Sequence, residues 1–242
     1  MYKKKKILAI IPARGGSKGL PRKNIRQVAG KPLIAWTIDE AKKSKLIDRL
    51  ILSSDDKRIM AAARQRGCEV PFVRPAKFAR DHSSGMEPVL HALSVLKDPF
   101  DYVVLLQPTS PLRLARDIDQ CIIKCVSSRS PACVSVVLRE KGLEWMFSLD
   151  GRKRLKAVTR QPDRVLSRQD FKKLYELNGA VYVARTDWFI KNKKFITSRT
   201  IGFPMPRERS VDIDTEWDLN ICNNLLTGRK RRTSGGVADR DV

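Results

Sequence analysis

No stretch of this chain stays apolar for 18 residues, so the sequence offers no helix able to cross a membrane. The apolar run after the basic start, Lys3 to Lys6, is too short for a signal core and lacks a small-residue cleavage site. A cytoplasmic location is the default expectation. Cysteine is scarce, and the five thiols at 68, 121, 125, 133 and 222 form an odd set without framework spacing. Reduced thiols in the core are expected, not disulfides. Cys121 and Cys125 stand at i, i+4 in an apolar helical pattern, where a zinc pair would lack partner ligands. Histidine is scarcer still: there are two, and neither falls in a motif that would mark a general base. Asp81-His82-Ser83 is no hydrolase signature, because such triads are assembled in space from distant segments. Acidic residues are outnumbered 26 to 49, leaving a net charge of +23. Nucleic acid, an anionic surface or strongly anionic substrates would each suit that excess. The cations are nevertheless spread along the chain, with no RNA-binding signature and no aromatic–basic interleaving.

What is present begins at Ile7. Ile7 to Ile11 is an unbroken apolar run, suited to a strand buried on both faces of a parallel sheet. Pro12 ends it. The loop beyond holds Gly15, Gly16 and Gly19 with Arg14, Lys18, Arg22 and Lys23. Glycines let backbone N–H groups approach a ligand, and the cations add donors and charge, which is the chemistry that holds phosphates. The loop is neither a P-loop, since Leu20 stands where the second glycine belongs, nor the Gly-x-Gly-x-x-Gly dinucleotide turn. A basic surface loop is the plain alternative.

Pro12-Ala13-Arg14-Gly15-Gly16-Ser17-Lys18-Gly19-Leu20-Pro21-Arg22-Lys23-Asn24 resembles the N-terminal signature of the acylneuraminate cytidylyltransferases, the CMP-sialic acid synthetases. The resemblance implies that Arg14 and Lys23 grip the triphosphate of CTP and that Asn24 meets the nucleoside.

Along the chain, Pro32 to Ser44 reads as a helix and Leu50 to Leu52 as a strand. Ser54 is the expected N-cap of a helix ending at Arg66 and Gly67, with Asp55 and Asp56 as helix-dipole partners. A third strand is expected at Glu69 to Val73, then a helix from Met86 to Leu96 capped by Ser83 or Ser84. The resemblance makes Arg74 and Ser83 nucleotide contacts, and helix N-termini favour anions. Tyr102 to Leu106 is a buried strand. It ends in Gln107-Pro108-Thr109-Ser110-Pro111-Leu112-Arg113, which matches a family motif and puts Gln107 by the reacting phosphate, at a strand's carboxyl end. Asp117 to Ser127 and Ala132 to Leu138 continue the alternation.

Arg139 to Leu174 interrupts it with a polar, basic segment around an apolar cluster, Trp145, Met146 and Phe147. By resemblance this insertion supports a homodimer, and Arg168, in Arg168-Gln169-Asp170, reaches the active site. Phe171-Lys172 follows where relatives often carry Leu-Pro. Leu177 to Val183 is a strand that includes the family's Asn-Gly-Ala-Val-Tyr, so Asn178 and Tyr182 either line the sugar pocket or serve as a turn residue and a core residue. In Val211-Asp212-Ile213-Asp214-Thr215, Asp212 and Asp214 point one way and Ile213 the other. Such a pair either caps the following helix, expected to run to Leu226, or holds a hard cation such as Mg²⁺ beside substrate phosphates. The family's motif at this point selects Mg²⁺.

The expected fold is a Rossmann-like α/β domain with a mostly parallel sheet, of the nucleotide-diphospho-sugar transferase type. Residues 1–138 and 175–228 form the nucleotide-binding catalytic domain, 139–174 the dimerisation insertion and 229–242 a disordered basic tail. The expected reaction transfers CMP from CTP to the anomeric hydroxyl of a nine-carbon 2-keto sugar acid, releasing pyrophosphate. A CMP-Kdo synthetase is the nearest alternative, though Lys18-Gly19-Leu20-Pro21 intervenes where those relatives pass directly to Arg-Leu-Pro. A non-enzymatic nucleic-acid-binding protein is the alternative from another class.

Overall fold

The structure, a computed structural model, describes residues 2–17, 19–79, 85–160 and 172–234, the last five by backbone alone. In chain order the strands are β1 (Ile7–Pro12), β2 (Gln27–Val28), β3 (Lys31–Pro32), β4 (Arg49–Ser53), β5 (Tyr102–Leu105), β6 (Ala132–Arg139), β7 (Phe147–Leu149), β8 (Leu155–Ala157), β9 (Leu174–Arg185) and β10 (Ile201–Met205). The helices are α1 (Leu33–Lys43), α2 (Lys57–Gln65), α3 (Glu87–Leu96), α4 (Ala115–Ser127), α5 (Thr186–Asn192) and α6 (Glu216–Ser234).

Six strands form the central sheet in the order β10-β6-β9-β5-β1-β4. β1 runs parallel to both β4 and β5, and β10 parallel to β6, while β9 is antiparallel to its two neighbours. The sheet lies between two layers of helices because β1 is apolar on both faces. Ile7, Ala9 and Ile11 pack with Ile34 and Ile38 of α1, Ile59 of α2 and Ile118 of α4. Leu8 and Ile10 face the other way, toward Val89 of α3 and Phe189 of α5. Each fully buried isoleucine contributes about 2 kcal/mol of transfer free energy. A third cluster seats α6 beside the phosphate-type loop: Leu20, Val28 and Leu33 meet Ile213, Leu219 and Leu226. All five cysteines are free and buried, and burial pushes the thiols of Cys68, Cys125 and Cys222 up to about 12. Among the described residues no helix is long and apolar enough to cross a membrane.

Several local expectations are corrected. Glu69 to Val73 makes only an isolated bridge, Ile51 with Glu69, because Pro71 removes a donor from the ladder. Asp56, not Ser54, caps α2, accepting from the amides of Arg58 (2.7 Å) and Ile59 (3.1 Å). Helix α3 starts at Glu87 with Met86 in the cap position, and Ser83 and Ser84 lie outside the described residues. β10 escapes the sequence pattern because Gly202 and Pro204 interrupt it; as an edge strand it tolerates the missing donor. The segment after β6 contains a β7–β8 hairpin where little regular structure is expected. Helix α6 continues to Ser234, through the first residues of the stretch expected to be a disordered tail.

Candidate active site

The cleft opens where β1 and β5 end side by side. β4 lies on the other side of β1, so connections leave β1 in both directions, and open α/β sheets bind ligands at such a switch point. The cavity there encloses about 410 Å³ and is lined by Arg14, Gly16, Ser17, Lys23, Asn24, Arg74, Gln107, Asp212 and Asp214, among others.

The glycine loop is tied down at both ends. The Ala13 amide donates to the Ser53 carbonyl at 3.0 Å, and the Asn24 side chain donates to the Arg14 carbonyl at 3.1 Å. A Cβ at Gly19 would sit 2.8 Å from the carbonyl oxygen of Asp214, so the loop presses against the carboxylate segment. Arg22 turns the chain with a left-handed φ of 55° and starts a 3-10 turn, Lys23–Ile25, which aims the Lys23 ammonium into the cleft. That ammonium donates to the Ile213 carbonyl (2.7 Å) and to Asp214 Oδ1 (3.0 Å). A cation from one end of the chain is thus bonded to a carboxylate from the other.

Gln107 is held through its main chain. Arg113, fully buried, donates to the Gln107 carbonyl (3.2 Å), the Ala180 carbonyl (2.6 Å) and the Thr37 hydroxyl (2.6 Å). Burial lowers its guanidinium to about 10, opposed by the charges of Asp117, Glu40 and Asp212. The Gln107 side chain lies over Gly179, where a Cβ would come within 2.6 Å of its Oε1 and 3.3 Å of Asp212 Oδ2. Gly179 also has a φ of +71°, so glycine is required there twice over.

Asp218, rather than Asp212 or Asp214, caps the following helix. Its Oδ2 accepts from the amides of Asp214 (3.1 Å) and Thr215 (2.8 Å) and from the Thr215 hydroxyl (2.7 Å). The Thr215 hydroxyl in turn accepts from the Asp218 amide at 3.3 Å, the reciprocal arrangement of a capped helix start. The cap therefore uses neither Asp212 nor Asp214. Asp212 Oδ1 is buried without a hydrogen-bond partner among the described residues. Burial raises the Asp212 pKa above the ordinary 3.8; a hydrogen bond from Thr109 opposes the rise and the nearby Asp214 charge adds to it. A buried carboxylate with an idle oxygen, beside a second carboxylate that is largely exposed, fits a hard divalent cation.

Ser83 and Arg168 lie outside the described residues. Asn178 and Tyr182 are not among the residues lining the cleft. The Asn178 amide is 3% exposed and already engaged: it accepts from the Ser135 hydroxyl (2.6 Å) and donates to the Ser210 hydroxyl (2.9 Å), bracing the segment that carries Asp212. Tyr182 is a core ring packed on Phe195. Asn178 thus serves as a bracing residue beside the Gly179 turn and Tyr182 as part of the core. Arg113, Gly179 and Asp218 escaped the sequence reading. The left-handed Asn-Gly step was the one local signal, and Arg113 was visible only as the last letter of a motif.

Residues 8–220 match the sequence pattern of the family described as Cytidylyltransferase. Among the relatives is the CMP-N,N'-diacetyllegionaminic acid synthase of Legionella pneumophila, 36% identical over 227 residues that cover 91% of this chain and 96% of that one. The pseudaminic acid cytidylyltransferase of Campylobacter jejuni is 33% identical, covering 91% and 96%. The N-acylneuraminate cytidylyltransferase of Escherichia coli O18:K1:H7 is 30% identical over 94% of this chain and 54% of its own length. A solved CMP:2-keto-3-deoxy-manno-octonic acid synthetase complexed with CTP superposes with a TM-score of 0.71 over 93% of this chain and 99% of that one; at 18% identity it shows the fold alone. With its glycine loop, its Gln107 strand end and its paired aspartates gathered in one cleft, this chain belongs to the cytidylyltransferase family.

Proposed function

We propose that the protein transfers CMP from CTP to the anomeric hydroxyl of a nine-carbon 2-keto sugar acid, with release of pyrophosphate. One observation carries the reading: the cationic glycine loop, Gln107 and an aspartate pair not needed for capping line the same cavity. Relatives named for legionaminic, pseudaminic and N-acylneuraminic acids, similar over most of this chain, support the nine-carbon acceptor over the eight-carbon one.

Arg14 and Lys23 neutralise charge that develops on the leaving pyrophosphate. Asn24, Arg74 and Ser83 hold the nucleotide, and Gln107 and Arg168 order the reacting groups. Asp212 and Asp214 would hold Mg²⁺, which when bound neutralises phosphate charge and eases loss of the acceptor hydroxyl's proton. Asn178 and Tyr182 act on the sugar side by shaping the wall behind Asp212. The protein works in the cytoplasm as a homodimer, built on the exposed insertion.

The test is pyrophosphate release from CTP and Mg²⁺ with sugar acids offered one at a time. Release with a nine-carbon acid is expected. Release with Kdo alone would move the protein to the eight-carbon branch, and no release with any acid would overturn the reading.

A further inference from the structure

Asp55 and Asp56 are neighbours after β4, yet their side chains do different things. Asp56 is committed to the start of α2. Asp55 instead reaches two segments that line the cleft: its Oδ1 accepts from the Gly15 amide, between Arg14 and Gly16, at 3.2 Å and from an Arg74 guanidinium nitrogen at 3.0 Å. Gly15 belongs to the loop after β1 and Arg74 to the segment after α2, so one carboxylate oxygen joins two walls of the cleft. The backbone repeats the connection: the Ser53 carbonyl accepts from the Ala13 amide and the Ser54 carbonyl from the Arg74 amide, at 3.0 and 2.8 Å. The contact is tight, since a Cβ at Gly15 would lie 2.8 Å from Asp56 Oδ2.

Arg74 needs a counter-ion. Its side chain is 3% exposed, and burial lowers its pKa first, with the Arg14 charge pushing the same way. Asp55 is the acid that opposes both. Before any anionic ligand arrives, Asp55 fixes the direction of the Arg74 guanidinium and of the Gly15 N–H.

We propose that Asp55 is a positioning residue for the nucleotide, acting through Gly15 and Arg74 to keep the two walls of the nucleotide site assembled in the free enzyme. It rests on the proposed use of CTP. Preassembly spares the nucleotide the work of ordering the loop, so the benefit falls on nucleotide binding, not on the chemical step.

The experiment measures the CTP dissociation constant by calorimetry, with KM for CTP, KM for the sugar acid, kcat and melting temperature, for wild type, Asp55→Ala and Asp55→Asn. Asp55→Ala should raise both CTP constants about tenfold, the scale of losing a charge-assisted bond, and leave kcat and the sugar KM within about twofold. Asp55→Asn keeps an acceptor for the Gly15 amide without the charge and should fall between; it carries the test if the alanine variant does not fold. A lowered melting temperature with wild-type CTP constants, or an equal rise in both KM values, would overturn the proposal. Wild-type protein that fails to bind CTP would strike the proposed function itself, and this inference with it.

Discussion

Gly179 is the residue on which the site converges. Its missing Cβ leaves room for the Gln107 amide, Asp212 and the Ser110 hydroxyl, which would lie 2.6, 3.3 and 3.5 Å from that atom. Gly179→Ala should therefore displace the Gln107 side chain and lower kcat by about 10²-fold. The left-handed backbone adds strain of about 1 kcal/mol, so stability should fall far less than activity. Steady-state kinetics and a thermal melt on one preparation check this. The sequence told most about residues whose role depends on near neighbours in the chain. Arg14, Lys23 and Asn24 share one contiguous loop, and Gln107 ends a strand that is visibly apolar. Arg113, Asp55 and Asp218 were illegible as site supports, because a letter does not say which of its possible partners it meets. Arg113, for example, meets carbonyls and a hydroxyl supplied by three separate segments.

Among elements, the Gln107–Arg113 turn is the joint between the sheet and α4. Arg113→Met would remove the buried guanidinium from the Ala180 carbonyl and leave the Gln107 carbonyl only the longer contacts from Thr37 and Ser110. A loss of about 3 kcal/mol is expected, read as a lower denaturant midpoint at unchanged slope. β4 offers a pH test. Arg49 Nε donates to Glu69 Oε2 at 2.9 Å, and that bond, opposed by partial burial, holds the Glu69 carboxyl below its ordinary 4.5. A depressed carboxyl stabilises above its unfolded value, and the benefit is lost as pH falls from about 4.5 through the lower folded value. Glu69→Gln should lower the melting temperature slightly at neutral pH and flatten the profile below about pH 4.5, where variant and wild type converge. The segment that carries Glu69 differs from the strand expected there for a local reason: β-branched and aromatic residues around Pro71 suggest a strand, but one proline reduces the ladder to a single bridge, Ile51 with Glu69. β10 fails in the opposite sense, since Gly202 and Pro204 argue against a strand that edge position allows.

At the scale of the whole molecule, β1, β4, β5 and β6 were legible because each is a short, largely apolar run, whereas the two-residue β2 and β3 carry no such pattern. The insertion was not, since the β7–β8 hairpin exposes every residue of both strands. A two-stranded hairpin is marginal alone, and Leu149, Leu155 and Val158 stand at 64, 70 and 60% exposure. If a second copy covers them, as proposed, Leu149→Asp with Leu155→Asp should halve the mass seen by light scattering without lowering the helix content. The central claim is that Asp212 and Asp214, which the helix cap does not use, serve the reaction. The direct measurement compares pyrophosphate release and melting temperature for wild type and Asp212→Asn, with the melts run in chelator. Neutralising a buried carboxylate that has an idle oxygen should leave the melting temperature equal or higher, while turnover falls by at least about 10²-fold. Wild-type turnover in the variant, or a collapse of stability that accounts for the lost activity, would contradict the account.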